Sequence, residues 1–171
     1  MKINSVLKYK KLFVTLCLVV LCVTAGLSHA TAQDPAGPAV GERIDLTSFQ
    51  SRSGQTLSEA MKEHSVAMLV VIDPNCGTCA SVKDSLRALR DRVEKTQIAY
   101  YVVMIPDGTD PQKYFDFADS LKIDVESFVW NNASTKPKSL ASMTKPSHLQ
   151  ITSEGLIVEK WSGIPQNTGT P

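Results

Sequence analysis

Two continuous apolar runs predict the centre of a β-sheet. Residues 65–73 read SVAMLVVID and residues 98–105 read IAYYVVMI, without regular alternation of polar positions. Such a run is typical of a strand that is buried on both faces, as in a parallel sheet. We therefore predict two central strands at these positions.

Helical periodicity appears between and around these strands. Apolar side chains recur at spacings of three and four residues in one stretch, namely Cys79, Val82, Leu86, Leu89 and Val93. This spacing predicts a single buried stripe on an amphipathic helix. Asp110 and Pro111 have the form of an N-cap and a first helical proline, which predicts a helix to about Leu121. Thr56 and Glu59 have capping-box spacing and predict a short helix to about residue 64.

Shorter β segments are predicted on both sides of this centre. They are residues 44–49 with a turn at Gly54, residues 128–130, and a terminal hairpin formed by residues 147–152 and 156–161. Residues 131–146 show no regular apolar period, so we predict irregular structure there with at most one helical turn. The alternation of strands and helices, followed by a hairpin, predicts an α/β fold whose mixed sheet has a parallel centre.

The first 32 residues predict an export signal. Four lysines precede a short apolar run over residues 12–27, and Ala30 and Ala32 form an A-x-A pattern before Gln33. The run is short for a membrane span, so we expect cleavage, with an uncleaved N-terminal anchor as the alternative. The predicted boundaries are a signal peptide at 1–32, a linker at 33–41, one domain at 42–165 and a disordered tail at 166–171. The predicted location is periplasmic or otherwise extracytoplasmic.

Removal of the signal changes the charge and the cysteine count. Four of the 18 Lys and Arg residues, and none of the 17 Asp and Glu residues, lie in the first 32 positions, so the net charge falls from +1 to −3. No basic cluster remains, which argues against nucleic acid as a partner. Cys17 and Cys22 are removed as well, and Cys76 and Cys79 are the two cysteines of the predicted mature chain.

Cys76 and Cys79 form a CxxC pair between a buried strand and a helix. At a helix N-terminus, free N–H groups and the helix dipole would stabilise a thiolate on Cys76, which favours this residue as the nucleophile. Cys79 begins the apolar stripe and is expected to be sheltered, where it can resolve a mixed disulfide. We predict no cofactor and no metal, because a zinc site needs four ligands and the remaining histidines are not in ligand spacing. A non-catalytic pair is the alternative.

Three segments around this pair resemble the thioredoxin superfamily, and within it the TlpA/ResA-like exported thiol-disulfide oxidoreductases. They are residues 40–61, 69–86 and 145–164. The resemblance implies a thioredoxin-like fold, with a mixed central sheet flanked by helices and an N-terminal hairpin and helix. It also implies that Pro146 is a cis-proline facing the dithiol and that the backbone of Lys145 binds the substrate peptide. The implied partners are protein thiol or disulfide substrates and a redox partner protein.

The chain departs from that family's pattern near the cysteines. Val70 stands where many thioredoxins carry a buried acid, Asn75 replaces a tryptophan, and Thr78 replaces the usual proline or histidine. The helix that usually ends the fold is also expected to be absent, which would leave one sheet face uncovered. Asp73, Asn75, Gly77 and Thr78 are the auxiliary candidates, with Asp73 either a proton acceptor or a turn residue.

The leading functional hypothesis is therefore a thiol-disulfide oxidoreductase that acts on proteins. The alternative is a thioredoxin-fold binding module with a structural CxxC disulfide. A peroxiredoxin-like peroxidase and a copper chaperone share parts of the pattern but lack the expected motifs. His148 is expected to be a strand residue, and the direction of electron flow is left open.

Overall fold

The computed structural model describes residues 37–108, 110–131 and 137–164. The predicted signal peptide, the first part of the linker and the predicted tail lie outside the described residues. None of the helices in the described ranges is both long and apolar enough to span a bilayer.

The described residues form six strands, four α-helices and two short 3₁₀ segments. The strands are β1 (Phe49–Ser51), β2 (Val66–Ile72), β3 (Ala99–Met104), β4 (Ser127–Trp130), β5 (Ser147–Thr152) and β6 (Ile157–Ser162). The helices are α1 (Leu57–Ala60), α2 (Lys83–Glu94), α3 (Gln112–Leu121) and α4 (Lys138–Ala141). The 3₁₀ segments are Leu46–Ser48 and Met61–Glu63.

All six strands belong to one mixed sheet in the order β1-β4-β3-β2-β5-β6. The pairs β2–β3 and β3–β4 are parallel, whereas β1–β4, β2–β5 and β5–β6 are antiparallel. The prediction of a mixed sheet with a parallel centre is confirmed. The carboxyl ends of β2 and β3 consequently meet at one edge of the sheet.

The two faces of β2 are buried in different clusters, which explains its unbroken apolar sequence. Leu69 and Val71 face a cluster that contains α1, the first 3₁₀ segment and α4. Val70 and Ile72 face the other cluster, which contains side chains of α2 and α3. All four of these side chains have no solvent exposure. The prediction of a strand buried on both faces is confirmed.

The helix after the cysteines begins later than its periodicity predicts. Leu86, Leu89 and Val93 are buried as expected, but the regular helix starts at Lys83. Residues 77–82 form consecutive turns instead. The carbonyl of Thr78 accepts hydrogen bonds from the backbone of Ser81 and Val82 and from the Ser81 hydroxyl. A hydroxyl that bonds locally to the backbone competes with regular helix formation. The prediction that Cys76 lies at the helix N-terminus is therefore wrong.

The first predicted strand is also displaced. Residues 46–48 form a 3₁₀ turn because the Asp45 carboxylate accepts hydrogen bonds from the Thr47 amide and from the hydroxyls of Thr47 and Ser48. These bonds hold the pKa of Asp45 below its usual value. The strand then begins at Phe49 and pairs with β4. The capping box of Thr56 and Glu59 at the start of α1 is present as predicted.

The terminal hairpin forms as predicted. The sheet face that carries Val70 and His148 is covered at this hairpin. Among the described residues, the large apolar side chains with high exposure are Val40 and Val158. Trp161 and Ile164 pack against the cluster that covers Val70, and His148 is fully buried on the same strand pair. No helix follows β6 in the described part of the chain, which ends at Ile164. Within the described residues, the side chains of Trp161 and Ile164 pack over this part of the sheet.

Candidate active site

The two cysteines lie at the edge where β2 and β3 end. They form a disulfide, with their Cα atoms 5.4 Å apart. Cys79 has no solvent exposure, whereas Cys76 is half-buried. The amide of Cys79 donates to Sγ of Cys76 at 3.2 Å. One sulfur is thus accessible and supported by a backbone donor, and the other is sheltered.

A cis peptide bond joins Lys145 to Pro146 opposite the cysteines. The carbonyl oxygen of Lys145 lies 3.1 Å from Sγ of Cys76. The Lys145 side chain takes another direction, because its Nζ donates to the carbonyls of Ala141 and Met143 at 2.9 and 3.2 Å. Lys145 therefore reaches the disulfide through its backbone.

Thr78 and Gly77 complete the loop between the cysteines. The Thr78 hydroxyl lies 3.4 Å from Sγ of Cys76 and 3.4 Å from the Lys145 carbonyl, and it can donate to either. Gly77 is exposed, and a Cβ added there would meet nothing within 4 Å. The Thr78 hydroxyl can therefore donate a hydrogen bond to a thiolate on Cys76. Gly77 makes no close packing contact.

Asp73 forms the turn that precedes Cys76. Its carboxylate accepts the amide of Asn75 at 2.7 Å, and its carbonyl accepts the amide of Cys76 at 3.0 Å. An aspartate that bonds to the backbone two residues later forms an Asx turn. The structure therefore shows Asp73 in a turn, and its role as a proton acceptor stays a prediction.

A hydrogen-bonded group that the sequence did not single out lies beside this turn. The side-chain amide of Asn75 donates to the carboxylate of Asp107 at 3.2 Å, and the Tyr114 hydroxyl donates to the same carboxylate. Burial and this bond raise the pKa of Tyr114 to about 12, so Tyr114 stays protonated and remains a donor. The sequence signal was the aspartate that follows β3, which ends at the same sheet edge as β2.

A shallow depression of about 440 Å³ joins these groups at the surface. It is lined by Asp73, Asn75, Cys76, Gly77, Thr78, Asp107 and Lys145. All of these except Asp107 were predicted for the site, Pro146 follows Lys145 directly, and Cys79 is buried behind Cys76. The depression therefore gives a molecule at the surface access to Cys76 beside the Lys145 backbone.

A second polar pair is buried on the sheet face that contains Cys79. His148 lies opposite Val70 in the register of β2 and β5. Its Nδ1 bonds to the Gly163 carbonyl at 2.8 Å, and its Nε2 lies 3.2 Å from the Tyr100 hydroxyl. Burial lowers the pKa of His148 to about 4, although the bond to Gly163 opposes this shift, and burial raises the pKa of Tyr100. His148 is therefore neutral near pH 7, with Nδ1 as donor and Nε2 as acceptor.

The described residues contain no group of three or more His, Cys, Asp and Glu side chains that could hold a metal ion. The polar groups around the disulfide are instead bonded to each other or to the backbone, as described above.

Comparison with known proteins shows similarity in fold but not in sequence. No family profile matches the chain, and no curated protein matches it. Among solved structures, it is similar to the thioredoxin domain of a thiol-disulfide oxidoreductase from Bacteroides vulgatus, with 14% identity and a TM-score of 0.57 over 72% of this chain and 88% of that chain. A thiol:disulfide interchange protein from Bacteroides sp. has 13% identity and a TM-score of 0.56 over 71% and 80% of the two chains. A thio-disulfide isomerase from Thermus thermophilus has 17% identity and a TM-score of 0.52 over 74% and 87%.

These likenesses in fold each cover more than two thirds of the chain. The chain therefore has a thioredoxin-like fold: a six-stranded mixed sheet flanked by helices, with its CxxC pair at the carboxyl edge of the central strands.

Proposed function

We propose that the protein is a thiol-disulfide oxidoreductase of the cell envelope that exchanges disulfides with protein substrates. The observation that carries the proposal is the asymmetry of the pair, in which a half-buried Cys76 is bonded to a fully buried Cys79. The solved structures with similar folds are named as proteins of thiol-disulfide exchange. The export pattern of residues 1–32 supports the envelope location.

In the reducing direction, the Cys76 thiolate attacks one sulfur of a substrate disulfide. A mixed disulfide forms, and one substrate thiolate leaves. The Cys79 thiolate then attacks Sγ of Cys76, which closes the internal disulfide and releases the second substrate thiolate. Two electrons pass from the dithiol to the substrate, and its two protons end on the two substrate thiols. The reverse sequence oxidises a substrate dithiol.

The position of Lys145 supports peptide substrates for this exchange. Its carbonyl oxygen faces Cys76, and Pro146 follows it without a backbone N–H. An extended peptide can place an N–H against that carbonyl while its sulfur lies against Cys76. Backbone pairing of this kind depends little on the side chains of the peptide. We propose Lys145 and Pro146 as the substrate-binding residues.

Replacing each cysteine separately tests this function. Cys76→Ser is expected to abolish reduction of insulin disulfides, because the accessible sulfur is lost. Cys79→Ser is expected to retain attack but to accumulate a mixed disulfide, since no resolving thiol remains. The readouts are turbidity of reduced insulin and the mass of the trapped adduct. Full activity of the Cys76→Ser variant would disprove the proposal.

A structural role for the disulfide is the second candidate. Two features favour it. Val70 stands where a buried acid could accept a proton, and α2 starts at Lys83, so its N-terminus does not stabilise a thiolate on Cys76. In that case the protein would be a binding module, its disulfide would resist exchange with glutathione, and neither cysteine variant would form a mixed disulfide with a partner. The different outcomes expected for the two variants therefore separate the two functions.

Export is tested on the full chain. We expect the protein recovered from outside the cytoplasm to begin at Gln33, which intact-mass measurement can establish. A mass that retains residues 1–32 in the membrane fraction would favour the uncleaved anchor.

A further inference from the structure

Two carboxylates lie beside Cys76 in the depression that contains it. Asp73 follows β2 and Asp107 follows β3, and both line the depression together with Cys76. Asn75 bonds to both, through its backbone amide to Asp73 and through its side chain to Asp107. Tyr114 donates a further hydrogen bond to Asp107. The two carboxylates are therefore linked through Asn75 within the depression, and we call this pair the acidic wall.

The remaining charged residue of the depression is Lys145. Its ammonium group donates to the carbonyls of Ala141 and Met143 near the end of α4. Its contribution beside the sulfur is a carbonyl oxygen, 3.1 Å from Sγ of Cys76, which carries partial negative charge. The Lys145 ammonium group is therefore engaged with backbone carbonyls, and the other charged side chains among the described lining residues are those of Asp73 and Asp107.

We propose that the acidic wall selects substrates whose reacting cysteine is flanked by Lys or Arg. The inference rests on the proposed function, because the substrate must bring its sulfur to Cys76 between the Lys145 backbone and the wall. A cationic side chain next to the substrate cysteine is attracted to Asp73 and Asp107, whereas a glutamate there is repelled. Charge complementarity of this kind acts mainly on the association rate and on the choice of partner.

The attraction also has a consequence within the exchange step. The substrate thiolate that leaves when the mixed disulfide forms carries a negative charge. A neighbouring Lys or Arg on the substrate stabilises that charge, and the acidic wall attracts the cation into the depression that contains Cys76. The electrons and protons are transferred as in the exchange described above, and no further reactant is required.

The test uses matched peptides in a single turnover. The reduced full chain, freed of reductant, is mixed with a disulfide-bonded peptide whose cysteines are flanked by lysines, or with the same peptide carrying glutamates. A neutral disulfide, bis(2-hydroxyethyl) disulfide, reports exchange without charge. Alkylation and mass measurement at timed intervals give the rates. Asp73→Asn and Asp107→Asn each remove one charge and keep an amide oxygen that can accept the local hydrogen bonds.

Asp91→Asn provides the matched control. Asp91 is exposed, lies in the later half of α2 and pairs with Arg90, so its replacement removes one negative charge away from the depression. In the wild type, the lysine peptide is expected to react about tenfold faster than the glutamate peptide at low salt, and the ratio is expected to shrink at about 0.5 M salt because of screening. Each wall variant should lower the ratio at least twofold, whereas the control should retain it.

The outcomes separate the inference from the function on which it rests. Equal rates for the two peptides, with the neutral disulfide still reduced, would overturn the acidic wall and leave the proposed function standing. A preference that persists in both wall variants would overturn it as well, because the charge would then act from elsewhere. No exchange with any disulfide would remove both proposals. If Asp107→Asn proves unstable, Asp73→Asn alone decides the question.

Discussion

At the scale of single residues, the buried His148 shows how one polar side chain is accommodated in an apolar cluster. Both of its ring nitrogens have partners, the Gly163 carbonyl and the Tyr100 hydroxyl. A neutral imidazole satisfies both, because it carries one donor and one acceptor. Protonation would add a second donor facing a hydroxyl and would place a charge in a site without solvent exposure. The neutral form is therefore tied to the folded state.

This linkage predicts that the protein loses stability in acid. The pKa of His148 is about 4 in the folded protein, against 6.5 for a histidine exposed to water, so the unfolded chain binds the proton more readily. The stability that neutral His148 contributes therefore decreases as the pH falls below about 6.5. This contribution is completely lost below about pH 4. The difference corresponds to about 3 kcal/mol of unfolding free energy. Urea unfolding between about pH 7.5 and pH 4 measures it.

The matched variants are His148→Gln and His64→Gln. Glutamine cannot take up the proton, so the first variant is expected to have a shallower loss of unfolding free energy with decreasing pH. The second serves as the matched histidine replacement, since His64 lies before the start of β2 and outside the buried pair. Identical slopes for the wild type and His148→Gln would contradict the assignment.

At the scale of elements, the turn of the β5–β6 hairpin packs closely against the backbone of Ile44. Gly155 has φ of +79°, a conformation that favours glycine. A Cβ at this position would lie 2.3 Å from the carbonyl oxygen of Ile44. The amide of Ile44 in turn donates to the Gly155 carbonyl at 3.0 Å. The turn is therefore packed directly against the segment before the first 3₁₀ turn, and this contact connects the hairpin to the start of the domain.

Gly155→Ala and Gly54→Ala form a matched pair for this contact. Both glycines have positive φ, but a Cβ at Gly54 would meet nothing within 4 Å. Both alanine variants are expected to lose about 1 kcal/mol of unfolding free energy from the left-handed backbone conformation. Gly155→Ala should lose at least about 1 kcal/mol more, because the clash requires the backbone to shift. Equal losses in urea unfolding would show that the contact contributes nothing.

At the scale of the whole molecule, the sheet is stabilised by apolar clusters on both faces, and the disulfide lies at its edge. Together the two clusters contain side chains from all six strands and from the helices that cover them. The cysteines are separated by three positions, so their bond closes a very short loop. A short loop restricts the unfolded chain only slightly. The fold should therefore persist when the disulfide is reduced, as an exchange enzyme requires.

Reduction is accordingly expected to lower the unfolding free energy by at most about 2 kcal/mol, the value that loop entropy gives for a loop of this size. Urea unfolding with and without dithiothreitol measures the difference. Both forms should unfold in a single cooperative transition. Loss of cooperative unfolding on reduction would contradict this prediction and would favour the structural role of the disulfide.

Much of this architecture could be predicted from the sequence, because its signals are local. The apolar runs of β2 and β3, the stripe of α2 and the hairpin turn at Gly155 each follow from side chains close together in the chain. The local signals failed where side chains bonded to the nearby backbone. The Asp45 carboxylate stabilises a 3₁₀ turn in place of the first residues of the expected strand, and the Ser81 hydroxyl donates to the Thr78 carbonyl before the late start of α2.

The sequence by itself determined the class of fold, the centre of the sheet and the position of the cysteine pair between a strand and a helix. Only the tertiary structure decided which atoms contact that pair. Asp107 bonds to Asn75 across 32 positions, and the Lys145 carbonyl reaches Cys76 across 69. The physical reason is that periodicity reports which face of an element is buried, whereas the approach of two loops depends on which strands are neighbours in the sheet.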